Sequence, residues 1–231
     1  MKFLKAILFF SIFFTTNIFA YLEIGTFKDK DEELITCELI TPEDYSPNVF
    51  AQERAIYIAS FKKAYSDLEI ETSITGWCFR GYSRILQNNG KRGDLEYHFV
   101  RAKMGDRVVA FLSFCEKKLK RKIYIEQLAV APDKLGKGIV RGMGQKVLEH
   151  FEQQEQQEQQ EQELVKRIDR LEFFTNKKNT IMLGLCTCLG FETFPGTFSE
   201  DYEDYQECAG NYQWYGVTMQ SFAECFFPAS S

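Results

Sequence analysis

Two glycines, Gly136 and Gly138, separate a run of β-branched and apolar residues, Ile123 to Val130, from a helical run, Ile139 to Phe151. That order has chemical content. The first turn of a helix carries backbone N–H groups with no partner inside the helix, and glycine lets an anion approach them closely. Pro132 and Asp133 end the strand, because proline removes a ladder donor and fixes its own φ. The stretch reads as strand, tight turn and helix N-terminus, a frame for a phosphate. It is not a P-loop, since no Gly-Lys-Ser/Thr follows. Nor are its glycines at the spacing of the dinucleotide fingerprint.

A second stretch carries the opposite charge. Ser199 to Gly210 holds Glu200, Asp201, Glu203, Asp204 and Glu207 among Tyr202 and Tyr205, and no Lys or Arg occurs after Lys178. Carboxylates among aromatic rings attract a cation by field and by cation–π contact, although a solvated acidic loop has the same composition. Lys117 to Lys122 is basic and reads as a solvated hairpin loop. The formal charge of −5 argues against a general nucleic-acid binder. Seven cysteines (37, 78, 115, 186, 188, 208 and 225) lack metal-like spacing, and most read as small buried hydrophobes. An odd count leaves at least one thiol free, and Cys208 with Cys225 is the one bridge to test. His98 and His150 have no Ser, Cys or carboxylate partner at a telling spacing. No metal is expected.

These residues need elements to position them. Residues 1–20 read as a signal peptide, with Lys2 and Lys5 before the apolar Ala6 to Phe14 and a cleavage site at Asn17 to Ala20. The expectation is an exported protein with no stable membrane span once that segment is removed, because the apolar run falls short of the roughly 20 residues a span needs. The alternative is an uncleaved anchor. Residues 21–231 suit a single domain, and 22 Phe with 11 Tyr point to an aromatic interior. Strands are expected at Glu33 to Thr41, Asp94 to Lys103, Arg107 to Cys115, Ile123 to Val130, Arg170 to Thr175, Phe191 to Phe194 and Tyr212 to Met219. Gly105-Asp106 is a hairpin turn and Asn88 to Gly93 turn chemistry. Helices are expected from Pro42 through Leu68, over Ile139 to Phe151, and over Asn179 to Leu189, where Gly190 stops the last. Between helix and strand lies Glu152 to Glu163, five Glu and seven Gln with no apolar stripe, an insert that extends the helix into solvent or frays.

Val130-Ala131-Pro132 followed by Leu135-Gly136-Lys137-Gly138-Ile139-Val140 resembles the cofactor segment of the GNAT superfamily of N-acetyltransferases, and Asn179, Cys186 and Gly190-Phe191 match a second family motif. Leu135 and Val140 depart from the family's Arg or Gln and Gly or Ala. Cys186 stands where the family has a tyrosine, often the general acid. The resemblance implies an α+β fold from about Leu34 to Met219, a mixed and mostly antiparallel central sheet with helices on both faces, and a V-shaped opening after Val130. It implies acetyl transfer from acetyl-coenzyme A to an amine. Leu128, Ala129 and Val130 would pair with the pantetheine arm, and Leu135 to Val140 would hold the pyrophosphate. Glu126 would be the general base, Cys186 the proton donor, and the acidic 199–210 loop the lip receiving an amine-bearing small molecule or basic peptide. The alternative is a GNAT fold with an eroded cofactor site that binds without catalysing.

Deleting Gln153 to Gln162 should leave the core folded, since the repeat has no apolar face to lose. A calorimetric fall in Tm of more than about 5 °C, on the order of 1–2 kcal/mol for a domain this size, would show that it packs on something.

Overall fold

The computed structural model describes residues 21–40, 47–62, 91–92, 95–117, 121–159, 169–193 and 212–226. The segment 1–20, the end of the first expected helix, the 199–210 loop and the Cys208–Cys225 pairing lie outside them.

Nine described strands form one sheet in the order β1-β2-β4-β5-β6-β7-β9-β8, with β3 paired to β4. These are β1 (Tyr21–Lys28), β2 (Leu34–Ile40), β3 (Lys91–Arg92), β4 (Leu95–Met104), β5 (Arg107–Lys117), β6 (Lys122–Val130), β7 (Arg170–Asn176), β8 (Glu192–Thr193) and β9 (Tyr212–Thr218). Every pairing is antiparallel except β6 with β7. Helix α1 (Pro47–Phe61) precedes β3, α2 (Ile139–Gln159) and α3 (Thr180–Cys188) flank β7, and α4 (Met219–Phe226) ends the described chain. No described helix is long and apolar enough to cross a membrane.

Alternation along the strands divides the core between two faces. Val100, Leu112, Phe114 and Val130 pack with Ile139, Met143 and Leu148 of α2, Cys186 of α3 and Phe222 of α4. Their chain neighbours Phe99, Phe111, Ala129 and Ala131 pack on the other side with Ile56 and Tyr57 of α1. The helices thus cover both faces of an α+β sheet, as the element order implied. A buried ion pair, Arg101 Nε to Glu53 Oε1 at 3.5 Å, joins α1 to β4.

Three differences from the sequence reading have physical causes. The first strand is β1, not the Glu33–Thr41 segment: Tyr21–Lys28 is half exposed at the sheet edge and carries a glycine, which hides its pattern. Lys91–Arg92 reads as turn but pairs with Leu95 and Glu96. The last strand continues into α4, so the described fold ends at Phe226 rather than at Met219. The glutamine repeat does extend α2, which runs to Gln159 with Glu152, Gln153 and Gln154 exposed.

β1 packs against α2 at very short range. A Cβ on Gly142 would stand 2.2 Å from the Phe27 ring, so only glycine admits the ring there. Gly142→Ala should therefore cost about 1–3 kcal/mol of overpacking, seen as a lower Tm. In a double-mutant cycle with Phe27→Ala the two losses should fall well short of additive. An unchanged Tm for Gly142→Ala would mean that β1 yields without cost.

Candidate active site

The site begins with one extra residue in β6. Ser113 of β5 faces Gln127 while Phe114 faces Ile125, which leaves Glu126 without an opposite number. A bulge of this kind bends its strand and increases the local twist. The parallel pairing of β6 with β7 runs from Lys122 and Arg170 to Ile125 and Phe173 and stops there. From Glu126 onward the two strands part. The opening expected after Val130 therefore starts earlier, and Leu128, Ala129 and Val130 line it rather than lie beneath it.

The resulting cleft encloses about 490 Å³. Leu128, Ala129 and Val130 form one wall, and Leu135, Gly136, Gly138, Ile139 and Val140 bend across its end. Asn179, Met182 and Leu185 of α3 form the facing wall. Of the expected cofactor residues, Lys137 alone is not in the lining; its Nζ is paired with Asp31 Oδ1 at 2.9 Å.

The glycine turn is held from several sides. Gly136 and Gly138 have φ of 75° and 86°, in the left-handed region that only glycine enters cheaply. A single 3₁₀ turn, Pro132–Lys134, precedes them. Asp133 forms a two-pronged ion pair with Arg107, at 2.7 and 2.9 Å, and Ala131 N–H donates to Val109 O at 2.8 Å. The β1–β2 turn closes over the other side. Lys30 N–H donates to Lys137 O at 3.0 Å, and the Lys134 ammonium is held by Asp29 and Glu33. Burial alone would push the Asp29 carboxyl up, but the Glu33 amide, the Lys134 ammonium and the Asp31 amide together hold it below its usual range. The links to the β1–β2 turn were not legible in sequence, because their partners lie about a hundred positions apart.

The turn fits a phosphate. Gly138 O accepts from Gly142 N–H, so Gly138 caps α2 and the N–H groups of the next residues have no intrahelical acceptor. Space beside the glycines is open: nothing lies within 4 Å of a Cβ built on Gly136. Val140 and Leu135 are half-buried, packed against the core on one side while lining the cleft on the other. Two cations missed in the sequence, Lys30 and Arg141, line the same end of the cleft.

The remaining expected residues separate. Glu126 is half-buried where the strands part and is not among the residues that line the cleft. Asn179 caps α3, its Oδ1 accepting from Met182 N–H at 3.1 Å and its Nδ2 donating to Thr175 Oγ1 at 3.4 Å. It positions the helix wall. Cys186 is a correction: it is 3% exposed and lines a separate apolar cavity of about 50 Å³ under the cleft. Burial pushes its thiol up to about 11, too weak an acid, and in the wrong place, for the proton donor expected of it. Two positions on, Cys188 is exposed and lines the cleft. Ser60 of α1 donates to Val130 O at 2.7 Å and brings Phe61 to the same wall.

Residues 56–191 match the acetyltransferase (GNAT) family. This chain belongs to that family. Its fold is shared by PaiA N-acetyltransferase from Thermoplasma acidophilum, crystallised with coenzyme A, at 15% identity and TM-score 0.52 over 79% of this chain and 98% of that one. It is shared also by a GNAT-family acetyltransferase from Desulfovibrio desulfuricans, at 14% identity and TM-score 0.53 over 80% and 98%. RimJ from Mycobacterium smegmatis, in complex with CoA-disulfide, matches at 14% identity and TM-score 0.50 over 85% and 87%. No curated protein matches the sequence. The chain is thus a GNAT acetyltransferase, acting with acetyl-coenzyme A on an amine.

S-methyl-coenzyme A, which has no free thiol, should slow alkylation of Cys188 several-fold, read by mass spectrometry that resolves it from Cys186. Cys186 should stay unlabelled throughout. Equal Cys188 labelling with and without the ligand would place coenzyme A outside this cleft.

Proposed function

We propose that the chain acetylates a cationic amine, a polyamine-like small molecule or a basic peptide, with Glu126 as general base. The observation that carries this reading is the coincidence of Glu126 with the point where β6 and β7 part. A half-buried carboxylate at that apex can accept the proton an attacking amine must lose. The main-chain N–H groups at the end of β6 suit polarisation of a carbonyl seated beside them. Leu128 to Val130 supply an extended backbone edge for the cofactor's arm. Gly138 to Arg141 supply amides for its phosphates, with Lys30 and Arg141 adding charge. Bound acetyl-coenzyme A brings the activated acetyl thioester.

The cationic character of the acceptor rests on composition: Glu200, Asp201, Glu203, Asp204 and Glu207 with Tyr202 and Tyr205, and no base after Lys178. The N-terminal segment supports export, with retention as an uncleaved anchor as the alternative. An exported acetyltransferase needs acetyl-coenzyme A where it arrives, which points to delivery into another cytosol or to an anchor facing the cytosol.

A second reading, a GNAT fold that binds coenzyme A without turnover, is favoured by one observation. The position of the family's tyrosine is filled by Cys186, below the cleft.

Calorimetric titration with coenzyme A, followed by thiol release against a panel of polyamines, basic peptides and neutral amines, separates the readings. Glu126→Gln should lower kcat by about 10²–10⁴-fold while leaving coenzyme A affinity within a factor of about two. Affinity and turnover lost together would make Glu126 structural. Binding without turnover on any amine would establish the second reading.

A further inference from the structure

Away from the cleft, the β4–β5 hairpin brings together three groups that strand spacing hides. Glu96 of β4 faces Glu116 of β5 directly, and His98 lies two residues along β4, on the same side of the strand as Glu96. One ligand atom from each of Glu96, His98 and Glu116 lies within 4.8 Å of the other two, and all three residues are half-buried. Two carboxylates directly opposite on antiparallel strands repel each other, which a cation between them would offset; Lys91 of β3 pairs in register with Glu96 on the other side.

The histidine supplies a second, independent observation. His98 Nε2 is buried and has no hydrogen-bond partner. It stands 3.7 Å from Glu116 Oε2, beyond hydrogen-bond range. Ligand atoms at about 2.1 Å from a tetrahedral ion are separated from one another by roughly 3.4 Å, so this gap is near that of two donors sharing a metal. The ring is fixed before any ion arrives: it stacks on Phe114 at 4.9 Å and meets the edge of Phe151 at 5.4 Å. His150 of α2 adds a second imidazole whose buried Nε2 has no hydrogen-bond partner.

We propose that Glu96, His98 and Glu116 form a binding site for a divalent transition-metal ion of borderline softness, Zn²⁺ being the probe, with water completing its coordination. Imidazole and carboxylate together select such ions over Mg²⁺ or Ca²⁺, which take oxygen alone. The ion would pin the two strands of the β4–β5 hairpin to each other, and by mass action would stabilise the folded chain.

The test uses the full chain stripped with chelator, titrated with Zn²⁺ by calorimetry and with Co²⁺ by absorption. One equivalent should bind, Tm should rise with it, and the cobalt spectrum should lack a thiolate charge-transfer band. Glu116→Gln keeps shape and packing, so it tests the site even if His98→Ala folds poorly. Each should weaken binding by more than the roughly 10–100-fold that loss of an outer-sphere partner costs, and Glu116→Gln without metal should melt no lower than the metal-free parent. The proposal is overturned if the parent binds no equivalent of Zn²⁺, if affinity survives both substitutions, or if cobalt reports a thiolate. In the first case His98 and Glu116 are neighbours with no ion between them.

Discussion

A parallel strand pair in the middle of a sheet ordinarily closes along its whole length, since each open backbone group there forgoes a hydrogen bond. In this chain the closure is broken by one inserted residue. Ile123 and Ile125 pack on the α2 face, and so do Leu128 and Val130. The interval from 125 to 128 is three where the pleat allows two. Glu126 absorbs the extra residue, the strand turns, and β7 no longer follows it past Phe173. The cleft and the backbone edge of Leu128 to Val130 that lines it follow from that insertion. β5 stays paired on the far side up to Val130, so the bend does not unravel the sheet.

The glycine turn at the end of this strand depends on the rest of the molecule in a different way. Its binding groups are amides, which any residue provides, so what must be held constant is backbone direction. That is supplied by Arg107 from β5, by Val109 O, and by the Asp29–Lys134 and Lys30–Lys137 links from the β1–β2 turn. Exposed pairs such as Arg107–Asp133 contribute little each to stability. Together, however, they determine which way the helix N-terminus faces. Leu135 stands where the family has Arg or Gln. Charge returns from Lys30 and Arg141, on other elements, while Leu135 takes up core packing.

Legibility in the sequence divides along the same line. Elements with strong periodicity and local punctuation were readable: β4 through β6, the helix from Ile139, and α3 between Asn179 and Gly190. Eight of the ten expected cofactor positions line the cleft from a strand–glycine–helix frame that is contiguous in the chain, and Asn179 lines it from the start of α3. β1 was not readable, since an edge strand with Gly25 and exposed Leu22 has neither alternation nor a continuous apolar run. The bulge was not readable either, as Glu126 looks like any polar residue in a half-buried strand. Lys30, Ser60 and Arg141 reach the cleft only through tertiary contacts. The Glu96–His98–Glu116 grouping depends on hairpin register, which sequence spacing does not encode across a turn.

Cys186 shows where motif matching and physical chemistry part company. The motif position is occupied, Gly190 ends the helix as it should, and the residue nevertheless lies on the buried side of α3. A phenol is long enough to project past the helix wall, whereas a thiol is held where its Cβ places it. Burial then raises the thiol to about 11, well above the roughly 8.5 of an ordinary thiol, so it would have to give a proton to a weaker base than itself. The cleft does not require that transfer. An ordinary thiolate near pH 7 takes a proton from solvent without help, and the cleft opens to solvent at exposed Cys188. The catalytic demand on the chain therefore concentrates on the acceptor side: on deprotonating the amine and on presenting main-chain N–H groups where charge develops. Neither requirement calls on Cys186, so its burial under α3 is compatible with the proposed division of labour between the backbone of β6 and Glu126.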